Sequence, residues 1–181
     1  VGGADRVGRG PSPSHRYTTT TSSSHQVDRI SQRTGRRTTE VITYVDASTM
    51  MKLIVSEPGS QAAADIWDGA DVLASARILY VEAQAALAAA HRAGRLTLSQ
   101  HRRAAVDFED LWSQLVVIEI DRELVRHAAE LAERRGLRGY DAVHLAAALR
   151  VGAELLTSAD RLLCQAALAE GFHVADPTRT A

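Results

Sequence analysis

Four carboxylates, Asp46, Glu82, Asp141 and Asp160, each stand at the end of an apolar segment or inside one. A carboxylate facing a core is costly unless it is paired, protonated or bound to metal. Four of them within a few ångströms would repel by roughly several kcal/mol in a partly buried site. Mg²⁺ or Mn²⁺ would relieve that repulsion, because hard oxygen ligands suit such ions and leave waters free to meet a phosphate. An ion held this way can acidify a bound water, align it with a phosphodiester and stabilise the leaving oxygen. No nucleophilic side chain is then required. The chain has no GxSxG elbow, no evident Cys–His pairing, no GxxxxGK[ST] loop and no GxGxxG turn.

The elements that must position these acids begin at Val41. VITYVDAS is a short β-branched run, read as a first strand ending at Asp46, and STMMKLIVSEPGS is a short helix stopped by Pro58 and Gly59. A helix over 60–70 and a strand DVLAS lead into SARILYVEAQAALAAAHRAGRL. In that helix Ile78, Leu79, Ala85, Ala86 and Ala89 are expected on one buried face, with Glu82 inside the stripe. A mixed-charge helix follows from Leu98 to Gln114, with Phe108, Leu111, Trp112 and Leu115 as core or partner contacts. LVVIEI is a third strand, and Asp121 caps the helix DRELVRHAAELAERRG before Gly136. LRGYDAVHLAAALRVG is a helix opened by Asp141 and apolar around most of its circumference, hence central. His144 shares the Asp141 face and is expected to be a hydrogen-bonded core residue. AELLTSAD is a strand carrying Thr157, Ser158 and Asp160 at its carboxyl end, followed by the helix RLLCQAALAEG and a last strand FHVADP.

Strand–helix alternation implies an open parallel α/β sheet with right-handed crossovers. Asp46, Asp141 and Asp160 then map to one sheet edge, and Glu82 lies about two turns into a helix leaving it. Each acid also has a plain explanation. Asp46, Asp141 and Asp160 could be helix caps, and Glu82 could sit at the stripe's margin, paired with Arg77 or Arg92.

Composition narrows the setting. The 181 residues are 45% hydrophobic and 24% charged, enough for one domain with a real core. Residues 1–40 differ: Gly, Ser, Thr and seven Arg give them about +4, and they lack apolar periodicity, which reads as a disordered or mis-started tail. A basic arm that grips RNA is the sharper alternative. The remaining residues carry 14 Lys and Arg against 19 Asp and Glu, so the body is acidic and is no bulk electrostatic nucleic-acid binder. The single cysteine, Cys164, precludes an internal disulfide and reads as core filling. With no secretory run and no apolar stretch of membrane length, the expected setting is cytoplasmic.

The ordered set VDAS with Asp46, YVEAQAAL with Glu82, GYDAVHLAAAL with Asp141 and LLTSAD with Asp160 resembles PIN-domain ribonucleases, and more narrowly the VapC toxins of VapBC toxin–antitoxin modules. The resemblance spans residues 41–178. It implies a three-layer α/β/α PIN-like fold with a central parallel sheet and helices on both faces. It also implies Mg²⁺/Mn²⁺-dependent endoribonuclease activity on tRNA or rRNA, homodimerisation or a larger hetero-oligomer, and a VapB-like antitoxin. Carried over residue by residue, Asp46, Glu82, Asp141 and Asp160 are the metal-binding catalytic acids, with Thr157 or Ser158 supporting them by hydrogen bonding. The competing readings are an RNA-processing nuclease without antitoxin and a non-catalytic α/β module whose acids only cap helices. A phosphoaspartyl phosphatase is disfavoured because Ser48 stands where a second acid is needed.

Overall fold

The structure, a computed structural model, describes residues 40–179. The expected tail reading concerns residues that lie, all but Glu40, outside this range. Among the described residues five strands and seven helices alternate. They are β1 (Ile42–Val45), α1 (Ala47–Ile54), α2 (Ser60–Asp68), β2 (Val72–Ala76), α3 (Ile78–Arg92), α4 (Leu98–Trp112) and β3 (Val116–Ile118), then α5 (Arg122–Arg135), α6 (Gly139–Val151), β4 (Leu155–Thr157), α7 (Arg161–Ala169) and β5 (His173–Ala175).

All strand pairs are parallel, in the order β3-β2-β1-β4-β5. The chain starts in the centre, winds outward to β3 and returns to β4 on the other side of β1. The carboxyl ends of β1 and β4 therefore flank the switch point of the sheet, where open α/β folds form their crevice. Val45 lies opposite Thr157 in that register, so the residues that follow them, Asp46 and Ser158, leave the sheet side by side.

Alternation along each strand divides the core between the two faces. Tyr44, Ala74, Ala76 and Leu156 join Leu131, Leu145 and Leu163 from α5, α6 and α7. Val45 joins Met50, Trp67, Leu79 and Phe108 from α1–α4 on the other face. This is the expected three-layer arrangement. Helix α6 is buried over Ala142, His144, Leu145, Ala146, Ala147 and Ala148, as its apolar circumference requires. The third strand is shorter than the run LVVIEI, keeping only Val116–Ile118. Among the described residues no helix is long and apolar enough to cross a membrane.

Candidate metal centre

Asp46 follows β1 directly and caps α1. Its backbone N–H donates to the Thr157 carbonyl at 3.1 Å, which fastens the end of β1 to the end of β4. Its Oδ2 accepts from Ser48 Oγ at 2.6 Å, from Ser158 Oγ at 2.8 Å and from the Ser48 N–H at 3.2 Å. The two serines are oriented in turn: Ser48 Oγ accepts the Ala159 N–H at 2.8 Å, and Ser158 Oγ accepts the Asp160 N–H at 2.9 Å. One oxygen of a carboxylate only 6% exposed is thus fixed from both strands of the switch point. The capping explanation of Asp46 holds, and it does not account for the second strand's serine. Thr157 behaves differently from Ser158. Its hydroxyl lies 3.1 Å from Thr49 Oγ1 and meets none of the four acids, so it reaches Asp46 through its carbonyl alone.

Asp160 caps α7, its Oδ1 accepting the N–H groups of Leu162 and Leu163 at 2.8 and 3.0 Å. Asp141 caps nothing. Arg138 occupies the N-cap of α6, and Asp141 is the third helical residue, with no hydrogen bond or ion pair among the described residues. Burial raises its carboxyl above the ordinary range, and the charges of Asp160 and then Asp46 raise it further, against the opposing pull of His144 and Arg138. Three carboxylates from α6, α7 and the end of β1 therefore share one field.

Glu82 requires a correction. The buried face of α3 is Leu79, Ala83, Leu87 and Ala90, while Ala85 is exposed, so Glu82 flanks the stripe instead of lying inside it. The helix is alanine-rich over most of its surface, and small apolar residues at nearly every position blur the period on which the expected stripe rested. Neither suggested arginine neutralises Glu82, since Arg77 pairs with Glu119 and Arg92 makes no ion pair among the described residues. Its partner is His144: Nε2 lies 2.6 Å from Glu82 Oε2 and 3.7 Å from Asp46 Oδ1. On the other side of the ring, Nδ1 lies 2.8 Å from the Tyr44 hydroxyl. That hydroxyl also accepts the Ala76 N–H at 2.9 Å. Burial, the largest single influence on His144, disfavours its charge. The Glu82 hydrogen bond and the charges of Asp46, Glu82 and Asp141 together outweigh it and lift the imidazole above its usual range. The histidine was expected as a bonded core residue, but its partners were invisible because they come from β1 and α3, 100 and 62 residues away.

The donor set suits a hard divalent cation. Asp46, Glu82 and Asp160 each have one oxygen engaged by the protein, while the other, and both oxygens of Asp141, accept no hydrogen bond among the described residues. No Lys or Arg among those residues pairs with any of the four. Nor do three acid, histidine or cysteine groups converge closely enough there to cage an ion. An ion gripped by one or two carboxylates and completed by water matches Mg²⁺ better than a closed protein cage. Cys164 is no alternative ligand or nucleophile. Burial, helped by nearby acids, pushes its thiol up to about 11, and its Sγ donates to the Ser158 carbonyl at 3.2 Å.

Comparison with known proteins agrees with this geometry. The family described as PIN domain matches residues 43–168. Two proteins of Mycobacterium tuberculosis, ribonuclease VapC45 of strain CDC 1551 / Oshkosh and ribonuclease VapC49 of strain ATCC 25618 / H37Rv, are each 45% identical over 136 residues, covering 74% of this chain and 94% of their own. Among solved structures, PAE2754 from Pyrobaculum aerophilum superposes with a TM-score of 0.58 at 27% identity, covering 74% of this chain and 83% of that one. VapC20 of M. tuberculosis, a Sarcin-Ricin loop cleaving toxin, gives 0.55 at 20% identity over 72% and 95%. VapBC2 from Rickettsia felis, bound to promoter DNA, gives 0.54 at 13% identity over 75% and 98%. With its parallel sheet, its acids gathered at the switch point and a family match over most of its length, the chain belongs to the PIN-domain family.

Proposed function

We propose that this protein is an Mg²⁺- or Mn²⁺-dependent endoribonuclease that serves as the toxin of a type II toxin–antitoxin pair. The observation that carries the reading is the group of four carboxylates that no lysine or arginine among the described residues neutralises, one of them raised above its ordinary range by burial and then by its acidic neighbours. Asp46, Glu82, Asp141 and Asp160 would hold the ion, one or two of them directly and the rest through its waters. Once bound, it would supply an acidified water and charge relief at the scissile phosphate. The protein's own part is orientation. Ser48 and Ser158 fix Asp46 in one rotamer, the α7 amides fix Asp160, and His144 restrains Glu82. Repulsion among the acids keeps the pocket poised for a cation and hostile to a bare phosphodiester, so cleavage should depend on metal.

Kinship with ribonucleases VapC45 and VapC49 supports RNA as the substrate, and the reading extends to tRNA or rRNA cut to arrest translation. Likeness to solved VapBC complexes supports a VapB-like antitoxin, and a homodimeric toxin acting in the cytoplasm completes the proposal. The test is cleavage of total tRNA and rRNA by purified protein in Mn²⁺ or EDTA, beside Asp46→Asn. Outer partners of metal ligands typically matter ~10–100-fold, so loss of a ligand should reduce the rate by at least about 100-fold. Wild-type protein that cuts no RNA in Mn²⁺ would remove the nuclease reading. Cleavage without growth arrest on expression, unaffected by the product of any neighbouring small gene, would instead favour RNA processing without an antitoxin.

A further inference from the structure

Tyr44, His144 and Glu82 form a continuous polar chain running from the backbone of the sheet to the acidic pocket. The Ala76 N–H donates to the Tyr44 hydroxyl at 2.9 Å, leaving that oxygen's own proton free to be given to His144 Nδ1, 2.8 Å away. A neutral ring with Nδ1 accepting carries its proton on Nε2, and an imidazolium carries one there as well. In both states Nε2–H donates to Glu82 Oε2 at 2.6 Å, while Asp46 Oδ1, at 3.7 Å, lies beyond hydrogen-bond reach. The bond is therefore independent of how the ring titrates.

Its setting is rigid. His144 is 1% exposed and Tyr44 fully buried, and their rings pack edge to face at 5.8 Å. Glu82, by contrast, is on the flank of α3, partly open to solvent and with no arginine or lysine among the described residues to hold it. A glutamate has three rotatable bonds, so without a fixed donor its carboxylate would sample many positions over the pocket.

We infer that His144, itself held by Tyr44, is the positioning residue for Glu82: it occupies Oε2 and leaves Oε1 as the oxygen offered to a divalent cation. The assignment rests on the metal-dependent nuclease reading and adds to it a residue outside the acidic quartet. Carboxylate ligands tuned by such outer hydrogen bonds typically lose ~10–100-fold in metal affinity when the bond is removed.

The two amide substitutions separate positioning from packing. Glutamine can place an N–H near the former Nε2, whereas asparagine can keep a partner for Tyr44 near the former Nδ1 but is too short for Glu82. Mn²⁺ affinity by calorimetry on the full chain should fall ~10–100-fold in His144→Asn and be largely retained in His144→Gln. In a Glu82→Gln background, His144→Asn should produce no further loss. Melting curves establish that each variant is folded. Should His144→Asn not fold, ¹H–¹⁵N spectra of metal-free protein decide the matter: a downfield Nε2 proton in wild type should move upfield in Glu82→Gln. Equal affinities for wild type and both histidine variants would overturn the assignment while leaving the nuclease reading intact. A loss of the same size with and without the Glu82 carboxylate would overturn it too, as would an Nε2 proton indifferent to Glu82→Gln. No Mn²⁺ binding in wild type would instead sink the nuclease reading first, and the positioning role with it.

Discussion

Asp141 is the acid whose state most directly reports the pocket. Its carboxyl is raised by burial and by Asp160 and Asp46, so the folded protein binds its proton more tightly than the unfolded chain does. By linkage, this group's contribution to stability is full below its unfolded value and is lost as pH rises through the folded one. Near neutral pH the whole cost is present. Asp141→Asn should therefore raise the melting temperature in EDTA at pH 7, modestly because solvent screens a half-buried group. The gain should vanish below the ordinary carboxylate range, where the wild-type acid is protonated in both states. Added Mn²⁺ should stabilise wild type and not the variant. A variant less stable than wild type in EDTA at pH 7 would mean that Asp141 makes a favourable contact instead.

At the level of elements, the turn between α1 and α2 shows how little slack the packing leaves. Lys52, almost buried, donates to Glu57 and to the Pro58 carbonyl. Gly59 then turns with φ +95°, and a Cβ built there would meet the Pro177 carbonyl oxygen at 2.5 Å. Both the left-handed backbone and the close approach demand glycine. Gly59→Ala should cost about 2 kcal/mol or more, read as a lower denaturation midpoint with an unchanged slope. Glycine and proline at 58–59 were legible in the sequence as a helix stop. The contact with Pro177, more than a hundred residues on, was not.

Across the molecule, charge and fold act together. The residues after 40 carry an acidic excess, and the pocket concentrates it at the sheet edge where RNA would be cut. A basic nucleic-acid binder loses affinity as salt rises, through counterion release. This protein should show the opposite for Mg²⁺ at constant ionic strength: a non-cleavable RNA should bind more tightly with Mg²⁺ than with EDTA, by about tenfold or more, and Asp46→Asn should abolish the difference. Fluorescence anisotropy checks this. Equal affinity in both buffers would place the RNA contact away from the acids.

The order of strands and helices, the apolar girth of α6 and the candidacy of Asp46, Glu82, Asp141 and Asp160 were all readable from the chain, because turn residues, two-residue and 3.6-residue periods and helix starts are local signals. Local signals also gave Asp46 and Asp160 a plain capping role, which both fill, and put Glu82 on the wrong part of its helix. Sequence therefore determined which residues could meet at one sheet edge. Tertiary structure alone decided what they met: Ser158 beneath Asp46, an uncapped Asp141 pressed by two like charges, and a histidine joining Tyr44 to Glu82. The physical reason is distance along the chain. Helix-forming bonds span three or four residues, whereas the Glu82–His144 and Asp46–Ser158 hydrogen bonds join groups 62 and 112 residues apart, and the second exists only once β1 and β4 lie side by side.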